Sequence, residues 1–214
     1  MSDPRERPEI LRITEIGEPV LHRPCRPAGP ADFGSPGLAR LIDAMFATMY
    51  VADGAGLAAN QVDVDLSLFV YDCADDDGVR HVGHLLNPVV EPQSPGRRLL
   101  EDTEGCLSVP GARAVLARPA RVVVRGFDWR GGPRTVVGTG YFARCLQHES
   151  DHLGGGLYVD RLARRERKDV LRQTADLRAG VFAEREAAGA RADWTGPAGV
   201  CASSCRCLAA GSAA

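Results

Sequence analysis

The sequence predicts an α+β domain with its strands first and one site-bearing helix late. Three observations carry that expectation. Residues 35–50, "SPGLARLIDAMFATMY", repeat their apolar positions with a helical period. "LSLFVYDC" (66–73) and "ARVVVRGFD" (120–128) are runs of β-branched and other apolar residues of strand length. "TGYFARCLQHESDHL" (139–153) returns to a helical reading and carries two histidines around a glutamate.

Each element has a local cause. In the first helix Leu38, Leu41, Ile42, Met45, Phe46 and Met49 step alternately by three and one, so they share a face. Ser35 is placed to cap it, and Pro36 suits its first turn. "HVGHLLNPVVEP" (81–92) reads as a further strand, broken at Asn87-Pro88. Thr139 is the candidate cap of the later helix, and the glycines of 154–156 would end it. Residues 162–186 read as a highly charged surface helix. The Ala/Gly/Ser-rich stretch that follows has no apolar period and is expected to be disordered. No internal repeat is present, so residues 1–188 are expected to form a single catalytic domain and 189–214 a tail.

The totals restrict the function classes. A chain of 214 residues, 44% apolar and 25% charged, is an ordinary globular protein. A net charge of −2 gives no reason to expect a DNA binder, which usually shows a basic stripe. The opening "MSDPRERPEILRI" is not a secretory signal, and no run approaches the roughly 18 apolar residues of a membrane span. A cytoplasmic protein without a membrane partner is expected. Seven cysteines at scattered spacing argue against a disulfide framework. "CASSCRC" (201–207) would make a small metal clip, but it has no fourth ligand nearby.

The sharpest signal is "HESDH" (148–152). Positions i and i+4 stack on one helical face, so His148 and His152 can turn both imidazoles toward one ion. Glu149 points about 100° away, from where its carboxylate can reach a water on the metal. The bland alternative is a solvated helix with chance histidines, but the chain has only five histidines in all. A catalytic site needs a third protein ligand. Asp160, Glu166 and Glu184 lie downstream, the latter two in the charged helix. Cys145 is seven residues from His152, about 10 Å along the axis, and is better read as packing beside the site. Cys106 in "EGCLSVPG" remains; Gly105 beside it permits close backbone approach, giving a Cys-His-His set with water as fourth ligand.

"GAGLAANQ" (54–61), "EGCLS" (104–108) and "QHESDHLGG" (147–155) together resemble the peptide deformylase family, in the family's order. The likeness spans roughly residues 10–172, and the wording from "VGTGYFARCLQHE" onward is similar to the actinobacterial branch. The resemblance implies antiparallel sheets packed around a central HExxH helix that binds metal. It implies hydrolysis of the formyl group from the N-terminal formylmethionine of new proteins, with release of formate. Carried over by position, Cys106, His148 and His152 would ligate the metal, with a metal-bound water as nucleophile and Glu149 as general base and acid. Gln61 and the Leu107 backbone N–H would donate to the oxyanion, a donor being worth about 3–4 kcal/mol. The metal would be Fe2+ physiologically, with Zn2+, Ni2+ or Co2+ able to occupy the site.

The substrate is expected along the backbone of "GAGLAANQ" (54–61) and around Gly105, as an added strand. Gly54, Gly56, Leu57, Gly105, Tyr141, Arg144 and Cys145 are its candidate contacts. Asp151 fits the family's "DH" pair. The basic stretch 161–172 would dock transiently on the ribosome; its other reading is a solvated charged helix. Two positions depart from the family pattern: Asp63, where glycine is usual, and Asp102, where an apolar residue is common. The competing functions are another HExxH hydrolase using Glu166 or Glu184 as third ligand, and a non-catalytic metal protein.

Overall fold

The computed structural model describes residues 8–92 and 96–192. A five-stranded sheet is built from β1 (Gly56–Ala58), β2 (Leu68–Ala74), β3 (Arg80–Val90), β6 (Arg121–Phe127) and β7 (Pro133–Thr139), in the order β1-β2-β3-β6-β7. Every neighbouring pair is antiparallel. β4 (Leu99–Cys106) and β5 (Val109–Pro119) form a separate two-stranded hairpin. Among the described residues three α-helices complete the fold: α1 (Pro36–Val51), α2 (Gly140–Leu153) and α3 (Arg164–Arg191). The class is the expected α+β, with antiparallel strands around a central helix α2.

β2 explains how the layers are held. Its side chains alternate faces because a strand has period two. Leu68 and Val70 pack in one core cluster with Ile42, Met45, Phe46 and Met49 of α1. Phe69, Tyr71 and Cys73 pack in another with Phe142, Ala143 and Leu146 of α2. Both faces are therefore buried, which is why the strand reads as a continuous apolar run. Each fully buried Phe or Leu contributes about 1.5–3 kcal/mol relative to exposure.

Ser35 does cap α1, accepting from Leu38 N at 3.1 Å, with Pro36 in the first turn. Thr139 differs: it occupies the N-cap position of α2, but its side chain makes no capping bond. α2 stops where Gly155 takes φ +83°, and an added Cβ there would lie 2.7 Å from backbone of Arg23. The expected break at Asn87-Pro88 is a bulge rather than an end. Asn87 sits at φ +49°, the pairing with β6 shifts between Leu86 and Val89, and the strand continues. Asp63 also adopts the left-handed region, at φ +62°, which is why glycine suits that turn.

α3 runs past the expected end at 186, so residues 189–191 are helical. "EREAAGAR" is rich in alanine, the strongest helix former, and continues the helix without a break. The start of α3 is held by Glu166, which accepts from Ala163 N at 3.0 Å. Residues 193–214, including "CASSCRC", lie outside the described residues. Among the described residues no helix is long and apolar enough to cross a membrane.

Candidate metal centre and active site

Two elements converge on α2. β4 and β5 are joined by the two residues Leu107 and Ser108, with Cys106 paired to Val109. This tight turn brings the Cys106 thiol to the helix. The Cys106 Sγ lies 3.1 Å from His152 Nε2, and the two Nε2 atoms of His148 and His152 are 3.3 Å apart. All three ligand atoms fall within 4.8 Å of one another. Ligands at ordinary zinc distances in a tetrahedral arrangement are separated by about 3.3–3.6 Å, so one sulfur and two ring nitrogens here fit a single ion.

The surroundings suit the same role. His148 Nδ1 is 2.7 Å from Glu104 Oε1, the carboxylate–histidine pairing that orients a metal-binding imidazole. Burial works against protonated His148, but hydrogen bonds to Cys106 and Glu104 outweigh it and raise its pKa, so a metal binding there would displace a proton. Burial and the neighbouring His148 push His152 well below its ordinary pKa, toward the neutral form that coordinates metal.

Glu104 is the group that local sequence spacing misses. It accepts from Arg118 Nε at 2.9 Å and from Arg144 Nη1 at 2.8 Å. Arg118 also bonds Asp151 Oδ2 at 2.7 Å, and Asp151 accepts a bidentate pair from Arg161. This chain of charges identifies the partners of Asp151. It joins four segments of sequence, so no spacing rule reveals it; its one local hint is an acid two residues before the cysteine.

Gln61 is buried on the 3-10 turn Ala59–Val62. Its Oε1 accepts from Ala58 N at 2.8 Å, which turns Nε2 toward Ser108 Oγ (3.2 Å) and Cys106 Sγ (3.5 Å). Glu149 lies on the neighbouring face of α2 against β1. A Cβ on Gly56 would sit 2.4 Å from Glu149 Oε1 and 2.9 Å from Cys145 Sγ. The glycine thus makes room for the protein's own carboxylate. Glu149 Oε2 is buried and has no hydrogen-bond partner among the described residues. Burial pushes the carboxyl up to about 7.

A cavity of about 460 Å³ opens beside these groups. Gln61, Cys106, Leu107, His148 and Glu149 line it, as do Gly54, Gly56, Gly105, Tyr141, Arg144 and Cys145. His152 closes the metal set from behind. Leu57 is not on the wall. It follows Gly56 in β1, points to the opposite face, and is fully buried in the α1 cluster. Arg144 contributes its stem, while its guanidinium turns to Glu104 and to the Leu116 and Leu100 carbonyls. Four residues of the charged helix, Val181, Glu184, Arg185 and Ala188, also line the cavity, and their part in it was not legible from composition. Among the described residues neither Glu166 nor Glu184 joins the Cys106/His148/His152 group.

Comparison with known proteins agrees with the geometry. A family model described as polypeptide deformylase matches residues 10–168. Peptide deformylase 1 of Streptomyces avermitilis is 56% identical over 173 residues, covering 80% of this chain and 79% of that protein. The peptide deformylase of Mycolicibacterium paratuberculosis is 44% identical over 179 residues, covering 80% and 91%. The crystal structure of a peptide deformylase from Legionella pneumophila superposes with a TM-score of 0.70 at 35% identity, covering 79% of this chain and 96% of that one. The chain therefore belongs to the peptide deformylase family, metal-dependent hydrolases that remove the formyl group from the N-termini of newly made polypeptides.

Proposed function

We propose that Cys106, His148 and His152 hold one divalent ion, Fe2+ in the cell, and that Glu149 carries the proton in deformylation. The observation that supports this most is one thiol and two imidazole nitrogens drawn together beside a buried carboxylate with an unpartnered oxygen. When bound, the ion supplies a Lewis acid and a nucleophile of lowered pKa at neutral pH. Glu149 takes up a proton at Oε2 and returns it to the departing amine. Gln61 Nε2 and the Leu107 N–H donate to the oxygen that becomes negative, one such donor being worth about 3–4 kcal/mol. The formylated N-terminus lies extended beside Gly54, Gly56 and Gly105, with its methionine side chain near Tyr141, the Arg144 stem and Cys145.

Affinity order among divalent ions does not favour iron over nickel or zinc, so iron occupancy follows cellular supply and Zn2+, Ni2+ or Co2+ can take its place. Residues 1–188 form the catalytic unit, acting in the cytoplasm, where its substrates emerge. The exposed basic side chains of 161–172 dock transiently on the ribosome. Cosedimentation with ribosomes that weakens with salt, and weakens further when Arg165 and Lys168 are changed to Glu, is expected; identical behaviour of the variant discards docking.

The direct test is anaerobic purification followed by metal counting and a formate assay on a formyl-methionyl tripeptide. One divalent ion per chain and steady formate release are expected, both lost on chelation and restored by Fe2+. Cys106→Ser should lose most of the metal. Full metal retention in that variant would favour a different third ligand.

A further inference from the structure

Two consecutive carbonyls follow the Cys106 thiol, and both are held from distant parts of the chain. Arg185 Nη2, in α3, donates to the Leu107 carbonyl at 3.0 Å. The Ser108 carbonyl accepts from Ile16 N at 2.8 Å. Glu15, the residue before Ile16, is gripped by Arg178 of α3, whose Nη2 lies 2.7 Å from Glu15 Oε1. Helix α3 thus reaches the Leu107–Ser108 turn twice, once directly and once through the N-terminal segment.

The helix is seated firmly enough to transmit position. Gly111 lies just beyond the turn at φ +77°, and a Cβ there would fall 2.6 Å from Leu177 Cβ and 3.4 Å from Val181 Cγ2. Backbone and helix are therefore at van der Waals distance. Phe182 serves both arginines: its ring centroid is 4.7 Å from Arg178 Cζ and 5.8 Å from Arg185 Cζ.

Stability alone does not account for Arg185. Its Nε and Nη1 are shielded from solvent and have no hydrogen-bond partner among the described residues. Unmet buried donors are costly, so an apolar side chain would suit this helix face better. What the arginine achieves is its one bond among the described residues, to the residue whose N–H faces the developing oxyanion in the proposed reaction. Residues that break a local rule of stability tend to sit where function needs them.

We propose that Arg185 is a positioning residue for deformylation, through which the distal half of α3 acts on the active-site turn. It holds Leu107, and with it the turn that carries Cys106, in register with α2. This rests on the oxyanion role of the Leu107 N–H. The test compares metal-loaded wild type, Arg185→Met, Arg185→Lys, Arg178→Gln and Glu186→Gln on a formyl-methionyl tripeptide. Methionine keeps the stem packing on Phe182 and removes the donor. Its kcat should fall tenfold to roughly the hundredfold that a misplacement of about 1 Å causes, with KM changed less than about twofold. Lysine, which can still donate to the carbonyl, should recover part of the loss. Arg178→Gln should give a smaller loss of the same kind, and Glu186→Gln, on the exposed side, none.

Wild-type kcat in fully metallated Arg185→Met overturns the proposal. So does a loss confined to KM, or one matched by lost metal. Should Arg185→Met fail to fold, Arg178→Gln decides by the same kcat criterion. If metal-loaded wild type releases no formate, the functional reading itself fails; if it does and the variants match it, only this inference fails.

Discussion

Glu149→Ala is expected to keep its metal and lose nearly all turnover. The two properties separate because the ligands do not depend on this side chain. Cys106 arrives on the β4–β5 turn, and His148 is oriented by Glu104. Glu149 projects to the neighbouring face and rests against Gly56. Loss of a positioned acid–base group costs about 10²–10⁴ in rate, and here one group handles the proton on both sides of the reaction, so the upper part of that range is expected. Glu149→Gln should behave alike, because it keeps the shape but cannot take a proton. Its stability gives an independent check. A buried carboxyl with an unpartnered oxygen is costly to hold, so the amide should melt no lower than wild type. Metal per chain, formate release and a thermal melt suffice. A fully metallated Ala variant within tenfold of wild-type turnover would remove Glu149 from its role.

That separation is readable in sequence because it is local. The i, i+4 spacing of His148 and His152, and the intervening glutamate, follow from helical geometry alone. The α1 face and strands β2, β3 and β6 were equally legible, since each buries a continuous or periodic apolar set. The hairpin was not. "LLEDTEGC" and "VPGARAVLARP" carry charged residues on an exposed face, and Glu104, Arg118 and Arg144 face inward only because they neutralise one another. β7 is largely exposed or half-buried, and its "PRTVVGT" gives little apolar signal. α3 misled for a related reason. Only Val170 and Thr174 of its residues are buried, so it reads as a surface helix, yet its far end supplies Val181 and Arg185 to the cavity wall. A partner that arrives from 78 residues away leaves no periodic trace.

The inward charges make the second large prediction. Glu104→Gln should destabilise the metal-free protein by about 3–5 kcal/mol, the usual cost of leaving buried charges without their partner. Glu104 and Arg118 are each only 3% exposed, and Arg144 is 5% exposed, so water cannot replace the carboxylate. Burial alone would raise the pKa of Glu104, but hydrogen bonds with His148 and Arg118 hold it well below the ordinary carboxylate range, so the lost group is a full anion. The amide offers one acceptor where two guanidiniums and an imidazole now converge, and its NH2 would face donors. Metal affinity should fall by roughly 10–100-fold as well, since His148 loses the group that orients its ring. Asp151→Asn should be milder, because Asp151 is partly exposed and Arg118 would keep both bonds to Glu104. Urea denaturation of the metal-free forms measures the first effect, and competition with a metal indicator the second. If Glu104→Gln unfolds at the wild-type midpoint and binds metal as tightly, the network is ornamental to both fold and site. If stability falls while affinity holds, Glu104 anchors the hairpin to α2 without tuning His148, and only the structural half of the prediction survives.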